Sequence, residues 1–201
     1  QPLLSMADFE NADSFQHFDP SAYSCLPRKG FCDKIIKILA EGRGCFSMRK
    51  KEREMTDRAE LLDVMAACDS CSVAFFDEEY PYVIPMNFGI CDTDGAISLV
   101  FHGANVGHKL DLLRQNPKVG FEMSTKHVLS FLPRSCDSEM KYESVCGNGT
   151  MEVLPDDQKI GALTALMNHY GGGPYDFDSR VVAATTVLKL TIHELTGKYL
   201  R

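Results

Sequence analysis

The sequence predicts a mainly β fold with helices (α+β), a β-barrel carrying its helices on the outside. Three observations point there. Six runs rich in apolar, β-branched and aromatic residues are bounded by turn-forming Gly, Pro, Asn or Asp. Helical periodicity is confined to a few separate segments. The two kinds of segment do not alternate regularly, which argues against a doubly wound parallel sheet.

The elements follow in order. Asp57, with Glu60 three residues on, has the form of a helix start, and Leu61, Val64, Met65 and Cys68 fall on one face. Strands are expected over 72–76, 80–89 and 96–103, with Asp77-Glu78-Glu79 and Asp92-Thr93-Asp94-Gly95 as the turns between them. Pro81 and Pro85 make the second run an edge or an irregular strand, because proline gives a ladder no N–H. A helix over 107–115 is stopped by Asn116-Pro117. Residues 118–123 form a strand, and 126–140 a loop containing Pro133. Residues 142–153 form a long strand, bent or bulged at Gly147 and Gly149. A helix over 156–170 turns Ile160, Leu163, Leu166 and Met167 inward and ends at Gly171-Gly172-Gly173-Pro174. Over 187–193, Leu188, Leu190 and Ile192 alternate with Lys189, Thr191 and His193.

The preceding stretch, 1–47, has another character. It mixes acids, aromatics and prolines without period, apart from a short apolar helix expected within 32–45. We expect an N-terminal extension over 1–47, upstream-derived or the product of a start set too early, and a working domain over 48–201. The extension has no basic start and no apolar block, so it does not read as a signal peptide. The basic cluster Arg49-Lys50-Lys51-Glu52-Arg53 reads as a solvated arm.

Composition bounds the function. The chain has 201 residues and a net charge of -7, with 44% apolar residues and no tryptophan. The acidic balance argues against a nucleic-acid partner, and no apolar run approaches the ~20 residues that span a bilayer. The eight cysteines accompany an ample apolar core, unlike a secreted disulfide scaffold. We therefore expect a cytoplasmic protein with reduced thiols. Cys68 and Cys71 form the one close pair. With no second C-x-x-C to complete a zinc site, they read as buried residues at a helix end and a strand start.

Chemistry concentrates in Leu99-Val100-Phe101-His102-Gly103-Ala104-Asn105-Val106-Gly107-His108-Lys109. This is a strand, a glycine-bounded loop and a helix start. Free N–H groups at a helix start favour an anion, Lys109 adds a cation, and Gly107 permits close backbone approach. The spacing is not that of a Walker A loop, and on spacing alone an ordinary loop and a phosphate site stand level. Gly147-Asn148-Gly149 fails as a dinucleotide fingerprint because Glu152 occupies the third glycine position. His102 and His108 lack the carboxylates of a metal site, and Ser98 and Ser144 lack a nucleophile signature. His169 suits the C-terminal end of its helix. The irregular segment 80–89 offers unpaired backbone groups to a planar heterocycle, or is simply a sheet edge beside core aromatics.

Four segments occur in order: "YPYVIPMNFG", "LVFHGANVGHKLDLLRQNPKVGFE", "YESVCGNGTMEVL" and "LKLTIHELTGKYL". Together with the opening "MRKKEREMTD", the series resembles the nitroimidazole-resistance (Nim) proteins of the pyridoxamine-phosphate-oxidase-like superfamily, over about residues 48–201. The resemblance implies an FMN-binding split β-barrel, a homodimer with the flavin at its interface, and a small-molecule substrate. The choice between FMN and FAD stays open. By resemblance, Pro85, Met86 and Asn87 line the flavin ring edge and His102 lies beside the flavin as proton donor or substrate contact. Gly107, His108 and Lys109 hold the ribityl phosphate. Tyr142, Glu143, Ser144 and Val145 match a "Y-x-S-V" strand near the interface, and Gly197 and Lys198 a C-terminal Gly-Lys. His108 stands where many relatives carry Arg or Lys, leaving less fixed positive charge. The implied activity is reduction of a small acceptor such as a nitro compound. A pyridoxamine-phosphate oxidase and a non-catalytic flavin or haem binder are the alternatives.

Overall fold

The computed structural model describes residues 48–93 and 95–201. The helix expected within 32–45 lies outside the described residues, as does the rest of 1–47. Strands are β1 (Glu54–Met55), β2 (Cys71–Phe75), β3 (Tyr82–Met86), β4 (Phe88–Thr93), β5 (Ala96–Ala104), β6 (Lys118–Ser130), β7 (Glu139–Val153) and β8 (Thr185–Leu200). Helices are α1 (Arg58–Ala66), α2 (His108–Gln115), α3 (Asp156–His169) and α4 (Ser179–Ala183).

The strands form one antiparallel sheet in the order β3-β2-β6-β7-β8-β5-β4, with β1 added on β8. β3 and β4 stand at opposite ends of this order, yet only Asn87 separates them in the chain. The sheet must curl until its ends meet at Asn87. The barrel is closed there by the chain and not by a ladder, and that opening is the split.

The expected fold class holds, and most elements fall where periodicity placed them. Asp57 caps α1 as predicted, its Oδ1 accepting from the N–H of Ala59 at 2.7 Å and of Glu60 at 3.1 Å. β3 is an edge strand, so Pro85 costs no central ladder bond. β7 shifts register against β8 between Asn148 and Gly149. A Cβ on Gly147 would meet Glu194 O and lie 2.6 Å from the Phe121 ring; one on Gly149 would meet Thr191 O. The bend needs both glycines.

Three expectations are corrected. The run 80–89 is two strands: the sheet turns from one end to the other at Asn87, and β4 continues to Thr93. The alternation of residues 80–89 therefore runs through a corner. The loop expected over 126–140 is shorter, because β6 reaches Ser130 and β7 begins at Glu139, leaving 131–138 between them. A bulge between Thr125 and Val128, with Lys126 at φ 56°, breaks the alternation that would have revealed the longer β6. Finally, α3 buries Lys159, Ala162 and Leu166, while Ile160 and Met167 are exposed. Leu163 and Leu166 pack on the sheet side as expected, with Ala162 and Ala165 beside them. Gly89 sets how the helix lies: its missing Cβ would lie 2.5 Å from Leu166 Cα, so the helix backbone itself rests on β4.

Strand alternation divides the core in two. Leu99, Phe101, Leu188 and Leu190 join Phe75, Phe88 and Met123 inside the barrel. Val100 and Val187, on the opposite face, pack with Leu154, Ala162 and Leu166 beneath α3. Cys68 and Cys71 are both buried, and burial pushes their thiols up to about 11 and about 12. Neither forms a thiolate near neutral pH.

One carboxylate is buried in the wall. Glu143 on β7 is 3% exposed; its Oε1 accepts from Arg201 Nε at 2.6 Å, and Lys126 Nζ lies 2.8 Å from Oε2. The lysine contact is ionic and lacks hydrogen-bond geometry, so Oε2 has no hydrogen-bond partner among the described residues. Burial pushes the Glu143 carboxyl up, but Lys126 and Arg201 outweigh it and hold it below its ordinary value of 4.5. A depressed carboxyl stabilises the fold above the unfolded-state value and loses that contribution as pH falls through the folded value. Glu143→Gln is expected to cost about 1–3 kcal/mol at neutral pH. Lys126 and Arg201 stay half-exposed and rehydrate when released, which limits the loss. In thermal melts from pH 7 to pH 3 the gap from wild type should narrow below about pH 4.5. A gap constant with pH would refute this account.

Candidate functional site

The end of β5 and the start of α2 build the site. Gly107 is the N-cap of α2 at φ 138°, a backbone region that favours glycine, and no side chain caps the helix. Leu110 N–H and Asp111 N–H both turn back to Gly107 O. The N–H groups of His108 and Lys109 precede the first helical bond and have no acceptor within α2. The Lys109 side chain folds back over β5, with Nζ 2.9 Å from where a Gly103 Cβ would stand. Gly103 is thus the floor on which the ammonium rests. None of the ion pairs among the described residues uses Lys109.

His108 is differently placed. Its Nε2 lies 2.8 Å from Asp77 Oδ2, and its ring meets Tyr82 edge-on at 5.0 Å. A carboxylate accepts only, so Nε2 carries the proton. The hydrogen bond from His108, with another from Glu78 N–H, holds the Asp77 carboxyl below its ordinary value. Lys109 is left as the uncommitted cation of the pair.

Met86 is buried, while Pro85 and Asn87 are exposed at the corner. The Asn87 amide has a forced orientation. Tyr170 Oη donates its single proton to Asp69 O at 2.8 Å, a carbonyl that can only accept. It must therefore accept from its other neighbours, Phe88 N–H and Asn87 Nδ2, both at 3.1 Å. Asn87 Oδ1 is turned away as a free acceptor. Next to it, His169 packs at a tilt on Phe88, ring centres 4.2 Å apart, and contacts Cys68 O at 2.9 Å, so the end of α3 pins the corner where the barrel splits.

The resemblance sets His102 beside the flavin and Lys109 at its phosphate; in the structure His102 and Gly103, over which Lys109 lies, face opposite sides of β5. His102 follows Val100 onto the α3 side, whereas Gly103, beneath Lys109, follows Phe101 onto the barrel side. His102 lines a cavity of about 300 Å³ with Leu163, Leu166 and Met167 of α3, and with Phe177, Val181 and Val182. Tyr142 and Ser144 stand elsewhere, on the β7–β8 ladder. Ser144 Oγ donates to Lys198 O at 3.4 Å, and Lys198 Nζ lies 5.9 Å from the Tyr142 ring centre. Gly197 has a packing role: a Cβ there would meet Leu61 and lie 2.8 Å from Met55 Cβ.

Tyr170, Asp77 and the 176–182 segment escaped sequence reasoning. A tyrosine after a helix and acids in turns carry no local signal, and only proximity reveals them. Among the described residues, no group of three or more His, Cys, Asp or Glu is placed to hold a metal ion, and no helix is long and apolar enough to cross a membrane.

The split barrel with a glycine-bounded cationic helix start has the fold of the flavin-binding proteins related to pyridoxamine 5'-phosphate oxidase. The family model described as pyridoxamine 5'-phosphate oxidase matches residues 57–199, and the chain belongs to that family. Among solved structures, a candidate 5-nitroimidazole antibiotic resistance protein from Bacteroides thetaiotaomicron VPI-5482 is 29% identical at a TM-score of 0.64, over 73% of this chain and 86% of that one. An FAD- and heme-binding protein from Mycobacterium smegmatis is 26% identical at a TM-score of 0.65, over 73% of each chain. The flavocytochrome Anf3 from Azotobacter vinelandii shares the fold at 18% identity and a TM-score of 0.66, over 77% of this chain and 72% of that one. Comparison with curated proteins found none that matches.

Proposed function

We propose that this protein is an FMN-dependent oxidoreductase of the nitroimidazole-resistance type, reducing a small acceptor such as a nitro compound. The observation that carries the reading is the anion cradle at the start of α2. Two helix-end N–H groups are free at the start of α2 and the uncommitted Lys109 ammonium rests over Gly103, while Gly103 and Gly107 bring no side chain to obstruct a phosphate ester. The donor set fits a ribityl phosphate. Asn87 Oδ1, turned outward by Tyr170, suits the N–H of a flavin ring edge. FAD would use the same contacts through its first phosphate.

Bound flavin supplies two-electron chemistry, and the protein supplies position and protons. His102 is the proton donor or substrate contact in this reading, since imidazole donates near neutral pH and its side chain opens into a cavity on the face of β5 away from Lys109. That cavity counts against the pyridoxamine-phosphate alternative: no lysine or arginine lines it, and its Asp176 carboxylate repels a phosphate. The reading includes a homodimer with flavin at the interface, to which Tyr142 and Ser144 contribute across the boundary. The uncovered Val128, Leu129, Phe131 and Met140 around the β6–β7 hairpin tip favour such a partner.

The test begins with a visible spectrum of the purified protein, which distinguishes flavin, haem and neither. Turnover with a nicotinamide donor and a nitroimidazole then separates an enzyme from a binder. His102→Ala should retain flavin and lower kcat about 100-fold. Full activity in that variant removes His102 from the mechanism. A protein that takes up no flavin overturns the proposal.

A further inference from the structure

The cavity at His102 can be read independently of the flavin. It lies between α3, α4 and the outer face of β5, away from Lys109 and the barrel interior. Its volume of about 300 Å³ is at the lower end of the range for ligand sites. A cavity of ~150 Å³ accepts benzene, so this one has room for one or two rings. Leu163, Leu166, Met167 and Phe177 supply apolar walls, and Val181 at its edge is 63% exposed.

The charges divide sharply. Asp178 is committed: its Oδ1 caps α4 by accepting from Arg180 N–H at 2.8 Å, and its Oδ2 pairs with Arg180 Nη2 at 2.9 Å. Asp176 takes part in none of the hydrogen bonds or ion pairs between described residues. No lysine or arginine lines the cavity. The pocket therefore presents one uncommitted carboxylate and one imidazole at the rim of an apolar cleft.

We infer that this pocket binds a small aromatic molecule bearing a positively charged or hydrogen-bond-donating group, and that it discriminates against anions. Asp176 is the specificity determinant and His102 the polar contact. Occupancy of the pocket needs no flavin; only its use as the acceptor site rests on the oxidoreductase reading.

The experiment is calorimetric titration of the full chain at pH 7.5 with 2-phenylethylamine and with 3-phenylpropionate, which share a ring and a similar length but carry opposite charges. The amine should bind about tenfold tighter, because Asp176 attracts one probe and repels the other. Asp176→Asn should bring the two affinities within about twofold while leaving the thermal melt unchanged. Val182→Trp should abolish binding of both by filling the cleft, and Leu163→Phe serves the same purpose if that variant is unfolded. Equal affinities in the wild type, amine binding that survives a filled and folded cleft, or no amine binding at millimolar concentration would each overturn the assignment. All of these outcomes are readable in a preparation without flavin, so failure here is distinguishable from failure of the flavin reading.

Discussion

Gly89→Ala is expected to unseat α3 from the barrel. The new methyl would lie 2.5 Å from both Leu166 Cα and Leu166 N, and 2.7 Å from Ala165 C. These are backbone atoms, so no rotamer change relieves the overlap, and either β4 or the whole helix must move. Overpacking a core costs roughly 1–3 kcal/mol when side chains can yield, so about 3–5 kcal/mol is expected here. The melting temperature should fall by about 10 °C or more. Two local consequences should accompany it. Leu163, Leu166 and Met167 wall the His102 cavity, and Tyr170 holds Asn87 through the end of the same helix. Gly161→Ala is the matched control. That position is also on α3, but a methyl there meets nothing within 4 Å. Alanine should be neutral or stabilise by up to ~1 kcal/mol. Equal melting temperatures for the two variants would refute the close helix–strand contact.

Lys109→Glu should weaken FMN binding about 100-fold. The substitution removes a charge-assisted contact worth ~1.5–3 kcal/mol and places a carboxylate against a phosphate; about 3 kcal/mol in total corresponds to that factor. The fold should be indifferent, because Lys109 enters no ion pair among the described residues and its ammonium rests over Gly103 at the strand end. Riboflavin, which lacks the phosphate, should bind both forms alike, and Lys109→Arg should restore much of the FMN affinity. A titration in which FMN and riboflavin lose affinity equally would place Lys109 outside the phosphate contact. His108 is expected to matter less than its neighbour, since Asp77 already occupies its Nε2.

Local chemistry was readable in the chain. The Asp57 cap, the prolines that make β3 an edge and the glycines that bend β7 act within a few residues, so each leaves a signal at its own position. The strand–loop–helix motif at 99–111 was legible for the same reason, because helix-end N–H groups follow from local geometry. Packing decided the rest. The sheet order makes residues 80–89 a corner instead of a strand, through pairings of β2 with β6 and of β5 with β8 that no local window contains. Alternation sets His102 and Gly103 on opposite faces, but which face meets α3 depends on where Gly89 lets a helix rest some eighty residues further along the chain. Apolar periodicity finds Leu163 and Leu166 on the inward face of α3, whereas Ile160 and Met167 turn outward because the backbone contact with Gly89 sets how the helix lies. Tyr170 satisfies three groups from two distant segments, and a hydroxyl with one acceptor and two donors for company acquires its role only when the chain has folded around it.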